Sequence, residues 1–222
     1  MRKISTYITR VQFAVPAQIL PQMQKPLHGR EAFQIIAPDI TTGNRLLENL
    51  EGIRSDILVL DMTLPDLNEG EALTTLSARN LRPYVVATAP RHDPHLSGIQ
   101  RYPAVRGALP RSLALSPLLR HVLAGVAQGC RYFAASPPVD PFHSGLSIDE
   151  TVELALMVIG LDTYELTREL GWSIHKVYNT QRRLRRKLDV DTSGQAITIG
   201  IRQGLVGVLT EPRDRELLRE SA

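Results

Sequence analysis

The sequence predicts an α/β domain, a doubly wound sheet of five parallel strands, linked to an all-α four-helix domain of helix-turn-helix layout. Three observations lead there. Over the first 130 or so residues, five short β-rich apolar segments alternate with helical stretches. A Ser/Pro/Gly-rich stretch at 136–145 then breaks the pattern with the composition of a linker. Beyond it come capped amphipathic helices, one of them studded with arginine.

Taken in order, strands are expected at 4–8, 33–37, 57–60, 84–87 and 104–109, with helices near 13–24, 43–50, 69–79, 94–101 and 116–128. In such a sheet a site lies at the carboxyl ends of the strands. The third strand ends in Asp61-Met62-Thr63-Leu64-Pro65-Asp66, which places Asp61 at that end. The last helical stretch, with Leu118-Leu119 and Val122-Leu123, carries more apolar surface than one sheet face needs. Part of it must pack on the sheet, and the remainder is available to form a dimer face. The expected division is therefore a domain at 1–135, a linker at 136–145, a helical domain at 146–210 and a charged tail at 211–222.

The helical domain opens with Ser147 and, three residues on, Glu150, a capping-box pattern ahead of an apolar run at 152–159 that Gly160 closes. Asp162 or Thr163 can cap a short helix at 164–170, stopped by Gly171. Trp172-Ser173 makes the turn, and Ser173 caps the next helix. In that helix, apolar residues at 174, 177, 184 and 188 form one buried stripe. The opposite face carries His175, Lys176, Asn179, Arg182, Arg183 and Arg186. Such a face is either simply solvated, or it neutralises phosphates and hydrogen-bonds base edges. A short helix, a Gly-containing turn and a polar helix favour the second reading. Charge distribution does too. The formal net charge is only +3, but within 168–187 seven Lys/Arg face a single acid, Glu169.

At 222 residues with a 43% hydrophobic share, the chain holds two ordinary packed domains and is not disordered throughout. One cysteine, Cys130, excludes a disulfide framework and offers no zinc site. No apolar run approaches a membrane span, and no signal-peptide core is present at the N-terminus, so a cytoplasmic protein with no membrane association is expected.

The segment from Leu146 to Leu188 resembles the DNA-binding domain of the LuxR/NarL/FixJ class of bacterial transcription regulators. The matches run through Leu146, Ser147 and Glu150; Gly160, Leu161, Glu165 and Leu166; Leu170-Gly171; Val177, Asn179, Leu184 and Lys187-Leu188; and Gly194-Gln195-Ala196, which echoes the start of a fourth helix. Two positions depart: Thr180 stands at the usual His, and Gln181 replaces an apolar residue on the buried side. By this resemblance, Tyr178, Asn179 and Arg182 contact base edges, with Lys176 and Arg183 closer to phosphates. Side-chain chemistry agrees for two of them, since Asn pairs bidentately with adenine and Arg with guanine. The fourth helix implies a homodimer on two-fold half-sites, with core packing as the competing explanation of its apolar residues, which run as far as Leu209.

Residues 1 to about 130 resemble the receiver domain of two-component response regulators, a flavodoxin-like fold. Asp61 matches the phosphoacceptor, Thr88 the switch Ser/Thr, and Gly107-Ala108-Leu109-Pro110-Arg111 the Gly-Tyr-Leu-x-Lys run. Receivers also place paired acids at the end of the first strand to hold magnesium. With a strand at 4–8, that position reads Thr9-Arg10, and Arg111 replaces the usual Lys. Phosphoryl transfer needs a cation on the developing phosphate charge. The expected pocket of Asp61, Thr9, Arg10, Thr88 and Arg111 is therefore degenerate, with Asp61 paired to Arg10 or Arg111 and no metal or other cofactor.

The function expected is a sequence-specific regulator that binds double-stranded DNA, an atypical response regulator with a protein or small-molecule input at its receiver. The alternatives are an adaptor that uses the receiver-like domain to bind a partner protein, and a conventional regulator switched by phosphate at Asp61. No nucleophile, base and orienting group converge in these motifs, so an enzyme is not expected.

Overall fold

The computed structural model describes residues 8–78, 83–90, 96, 98–134 and 145–211. Strands β1 (Thr9–Ala14), β2 (Phe33–Ile35), β3 (Ile57–Asp61), β4 (Tyr84–Ala89), β5 (Val105–Pro110), β6 (Arg131–Phe133) and β7 (Leu209–Thr210) form one sheet in the order β2-β1-β3-β4-β5-β6-β7. The first six are parallel and β7 is antiparallel to β6. Helices α1 (Leu20–Gln24), α2 (Gly43–Asn49), α3 (Glu69–Ala78), α4 (Arg111–Ala114) and α5 (Leu118–Ala127) accompany the parallel strands. Helices α6 (Ile148–Ile159), α7 (Thr163–Leu170), α8 (Ile174–Leu188) and α9 (Ser193–Arg202) make the all-α part. This is the doubly wound sheet with a four-helix unit that the sequence predicts, with two strands more than the expected five. Among the described residues no helix is long and apolar enough to cross a membrane.

The first strand corrects the sequence reading. It begins at Thr9, whereas the expected segment 4–8 lies almost wholly outside the described residues. Residues 13 and 14, assigned to a helix from the sequence, are strand, and the helix that follows is confined to Leu20–Gln24. The cause is burial. β1 sits between β2 and β3, and Val11, Phe13, Ala14 and Val15 are all fully buried, so the apolar run 13–15 serves a central strand and not the start of a helix. The expected helix at 94–101 falls partly outside the described residues. Its described end is a single 3₁₀ turn, Ile99–Arg101. The expected linker lies outside them except for Gly145, as does the tail except for Glu211.

Helix α5 also departs from expectation. Its apolar residues Leu118, Leu119, Val122, Leu123 and Val126 are buried within the chain, in one continuous core with Val152, Leu154, Ala155 and Leu156 of α6. The surplus apolar surface is thus covered by the chain's own helical unit and is not an open dimer face. Likewise, the apolar C-terminal run is not one helix. It ends as helix at Arg202, turns through Gly204, and returns to the sheet as β7.

Candidate nucleic-acid interface and the Asp61 pocket

The helical unit is built by local rules. Ser147 and Glu150 exchange both bonds of a capping box on α6, Asp162 and Glu165 do so on α7, and Ser173 caps α8 through the Lys176 N–H. Gly171 ends α7 at φ 64°, a left-handed conformation that costs a glycine little, and this sets the sharp turn into α8. The stripe formed by Val177, Leu184 and Leu188 is buried against the other helices. Thr180 and Gln181 are also on the buried side, so the two departures from the resemblance point inward together.

All seven residues expected at the interface, His175, Lys176, Tyr178, Asn179, Arg182, Arg183 and Arg186, are exposed, with Tyr178 at 53%. They divide into two groups. The Lys176 ammonium sits 3.8 Å from the centroid of the Trp172 ring and 3.4 Å from Asp149. Arg183 Nε lies 3.5 Å from Glu150 Oε1. Glu150 is nearly inaccessible and also accepts a 2.7 Å bond from the Lys187 ammonium. Burial alone would raise its pKa, but the bonds from Lys187 and the Ser147 N–H hold it below the usual carboxylate range. By contrast, the side chains of His175, Tyr178, Asn179, Arg182 and Arg186 make no hydrogen bond or ion pair among the described residues. The α6 acids thus steady the flanking cations and leave a polar centre with free donors. Asp149, Glu150 and Trp172 were not foreseen as contributors; for Glu150 the capping-box spacing was the visible signal.

The second constellation lies at the carboxyl ends of β3, β4 and β5. Asp61 and Thr88 are register partners, and Arg111 follows the end of β5. Asp61 has no exposed surface. Its Oδ1 accepts from the Thr63 N–H (3.0 Å), the Thr63 hydroxyl (2.7 Å) and Arg111 Nη2 (2.7 Å). Its Oδ2 accepts from the Thr88 hydroxyl (3.0 Å) and Arg111 Nε (2.8 Å). Burial pushes the pKa of this carboxyl up, yet the bonds from Arg111 and Thr63 prevail and hold it below its ordinary value. Sequence reading missed Thr63, although an Asp followed two residues later by Thr is a recognisable turn pairing.

Thr9 and Arg10 do not belong to this pocket. They start β1, and Arg10 pairs with Asp56 at the opposite end of the sheet: its N–H is 2.8 Å and its guanidinium 3.3 Å from that carboxylate. At strand rise, Arg10 lies about 16 Å along the sheet from the level of Asp61. Ala14 is in register with Leu60, so the strand end beside Asp61 is Val15-Pro16, both buried. A magnesium ion of the receiver type does not fit here. The flanking positions carry no carboxylate, the Asp61 oxygens are already engaged by five donors, and no cluster of three metal-ligating side chains exists among the described residues.

No protein-family model matches the chain. No curated protein matches it. Among solved structures it is similar to the RcsB response regulator of Salmonella typhimurium, at 18% identity over 87% of this chain and 98% of that one, with a TM-score of 0.51. It also matches an RcsB–DNA complex (19% identity, 86% and 96% covered, TM-score 0.48). A third match is the response regulator ChrA of a heme-sensing two-component system (20% identity, 90% and 99% covered, TM-score 0.46). The first likeness establishes the fold: a receiver-type sheet body joined to a helix-turn-helix unit, as in response regulators.

Proposed function

We propose that the chain is a sequence-specific DNA-binding transcription regulator, acting as a homodimer, whose receiver-like domain works without magnesium-dependent phosphorylation of Asp61. The observation that carries the reading is the α8 face. Asn179 and Arg182 stand exposed and unengaged at its centre, and cations held by α6 flank them. The α7–Gly171–α8 turn presents that face as a recognition helix would lie in a major groove. The fold supports it as well, since the RcsB structure of like fold is described in connection with DNA interaction. The adaptor alternative gives no role to free base-reading donors on an exposed face.

Binding to duplex DNA should weaken steeply with salt, because Lys176, Arg183 and Arg186 release counterions on neutralising phosphates. Asn179→Ala and Arg182→Ala should each lose about 1–3 kcal/mol of discrimination at one base pair in a binding-site selection. Parent-like specificity in both variants would remove these residues from the interface, and a flat salt response would remove DNA altogether.

For the receiver, both Asp61 oxygens are engaged, and the Arg111 guanidinium bonds each of them, which opposes attack on a phosphodonor. Incubation with a small phosphodonor and magnesium should leave the intact mass unchanged. A phosphoaspartate at Asp61 would restore the conventional phosphate-switched reading.

A further inference from the structure

The last described segment crosses from the helical unit back to the sheet, and four features show that this return is built. Leu209 and Thr210 pair antiparallel with Tyr132 and Arg131, and the Thr210 hydroxyl donates to the Arg131 carbonyl at 3.3 Å. Leu205 and Val206 are buried. Gly207 lies so close to the sheet that a Cβ there would stand 2.7 Å from both the Ala134 nitrogen and the Phe133 oxygen, which are backbone atoms that cannot step aside. On α5, Gly125 leaves the room that Leu209 fills: a Cβ at 125 would be 2.6 Å from the Leu209 side chain. The two halves also meet through charge, as Arg120 of α5 pairs with Glu169 of α7 and His121 Nε2 lies 3.5 Å from the same carboxylate.

We propose that residues 205–210 are an intramolecular strap that fastens the helix-turn-helix unit to the receiver-like body by completing its sheet at the β6 edge. The paired part of the strap is two residues long, and a pairing that short is marginal without the apolar contacts beside it. Leu205, Val206 and Leu209 supply those contacts, while Gly207 and Gly125 supply the space. The strap is therefore a fastening that can open as a unit, independent of Asp61. In the fastened state the α8 face remains exposed, so the fastened form is the one that reads DNA; this consequence rests on the DNA-binding reading above.

The test uses the full chain with Cys130, its only cysteine, replaced by alanine, and a cysteine pair at R131C/T210C, which are directly opposed across the strands. Mild oxidation should cross-link the pair within the monomer. Adding Gly207→Val should suppress that cross-link about tenfold or more, because the valine cannot approach the Phe133–Ala134 backbone. If that variant does not fold, Leu209→Asp takes its place, as it leaves the backbone free and removes only the apolar anchor. Thermal unfolding should change in parallel, from one transition in the parent to two in the released variants. Failure of the parent pair to cross-link, or equal cross-linking in the released variants, overturns the strap. Duplex DNA separates the two ideas. The oxidised protein should bind within about threefold of the reduced protein. Loss on oxidation overturns the fastened form as the reader, whereas absence of binding in both forms with an intact cross-link overturns the DNA reading and not the strap.

Discussion

Arg111→Ala is expected to destabilise the protein by about 3–5 kcal/mol at neutral pH, the usual consequence of leaving a buried charge without its partner. Asp61 is fully buried and the Arg111 guanidinium grips both of its oxygens, while Thr63 and Thr88 only complete the shell. The pH dependence distinguishes this from loss of side-chain packing. In the parent the Asp61 pKa lies below its unfolded value, so its contribution is present above the unfolded carboxyl pKa and is lost as pH falls through the folded one. Without Arg111, burial dominates and raises that pKa, so the sign reverses and acid stabilises the variant relative to neutral pH. Urea unfolding of both proteins at pH 4.5 and pH 7 measures this. Equal losses at the two pH values would mean that Arg111 acts by packing alone. Arg111→Lys keeps the charge but not the two-point grip and should fall between.

The second large effect lies under α8. Glu153 of α6 has no exposed surface, and neither of its carboxylate oxygens meets a well-formed hydrogen bond, although the Gln181 side chain approaches it. It faces Gln181 of α8, with Arg183 of α8 and Asp149 and Glu150 of its own helix as the charged neighbours. Burial pushes its pKa up to about 8 from an ordinary 4.5, so the folded protein holds a proton there that the unfolded chain releases. The contribution of Glu153 is thus fully present below the unfolded pKa, declines as pH rises above it, and levels off once the folded group ionises near 8. Glu153→Leu should raise stability at pH 7 by roughly 1–3 kcal/mol, the desolvation penalty of an unsatisfied buried group. The gain should grow from pH 5 to pH 8 in chemical denaturation. A destabilised Glu153→Leu with an unchanged pH profile would show the carboxyl to be satisfied. Gln181, which departs from the resemblance on the buried side of α8, is the polar neighbour of this carboxyl.

The helical unit was legible residue by residue because its signals are local. Capping boxes, helix-stopping glycines and a 3.6-residue apolar stripe act within a few positions, and the caps at Ser147, Asp162 and Ser173 are where the sequence puts them or allows them. Three of the five expected pocket residues were legible too. Asp61 ends β3, Thr88 lies one residue before the end of the next apolar strand, and Arg111 follows the one after. Thr9 and Arg10 were misplaced because the short apolar run Phe13-Ala14-Val15 reads as readily as the start of a helix, which pushed the expected strand back to 4–8. A shift of that size moves a side chain from one end of a parallel sheet to the other.

The C-terminal segment marks the same boundary. Its composition showed only that Leu205, Val206 and Leu209 want burial. Whether they extend a helix, pair two chains or complete a sheet depends on surfaces contributed by residues some eighty positions earlier. By itself the sequence determined the two-part architecture, the cationic face of α8 and the presence of Asp61 at a strand end, all consequences of short-range periodicity and capping. Only the tertiary structure decided that Arg111 and Thr63 close that carboxyl off, that α5 is covered from within the chain, and that Leu209 and Thr210 return to the β6 edge. These depend on which distant groups meet, because ion pairing and apolar burial act through space and leave no spacing in the chain to read.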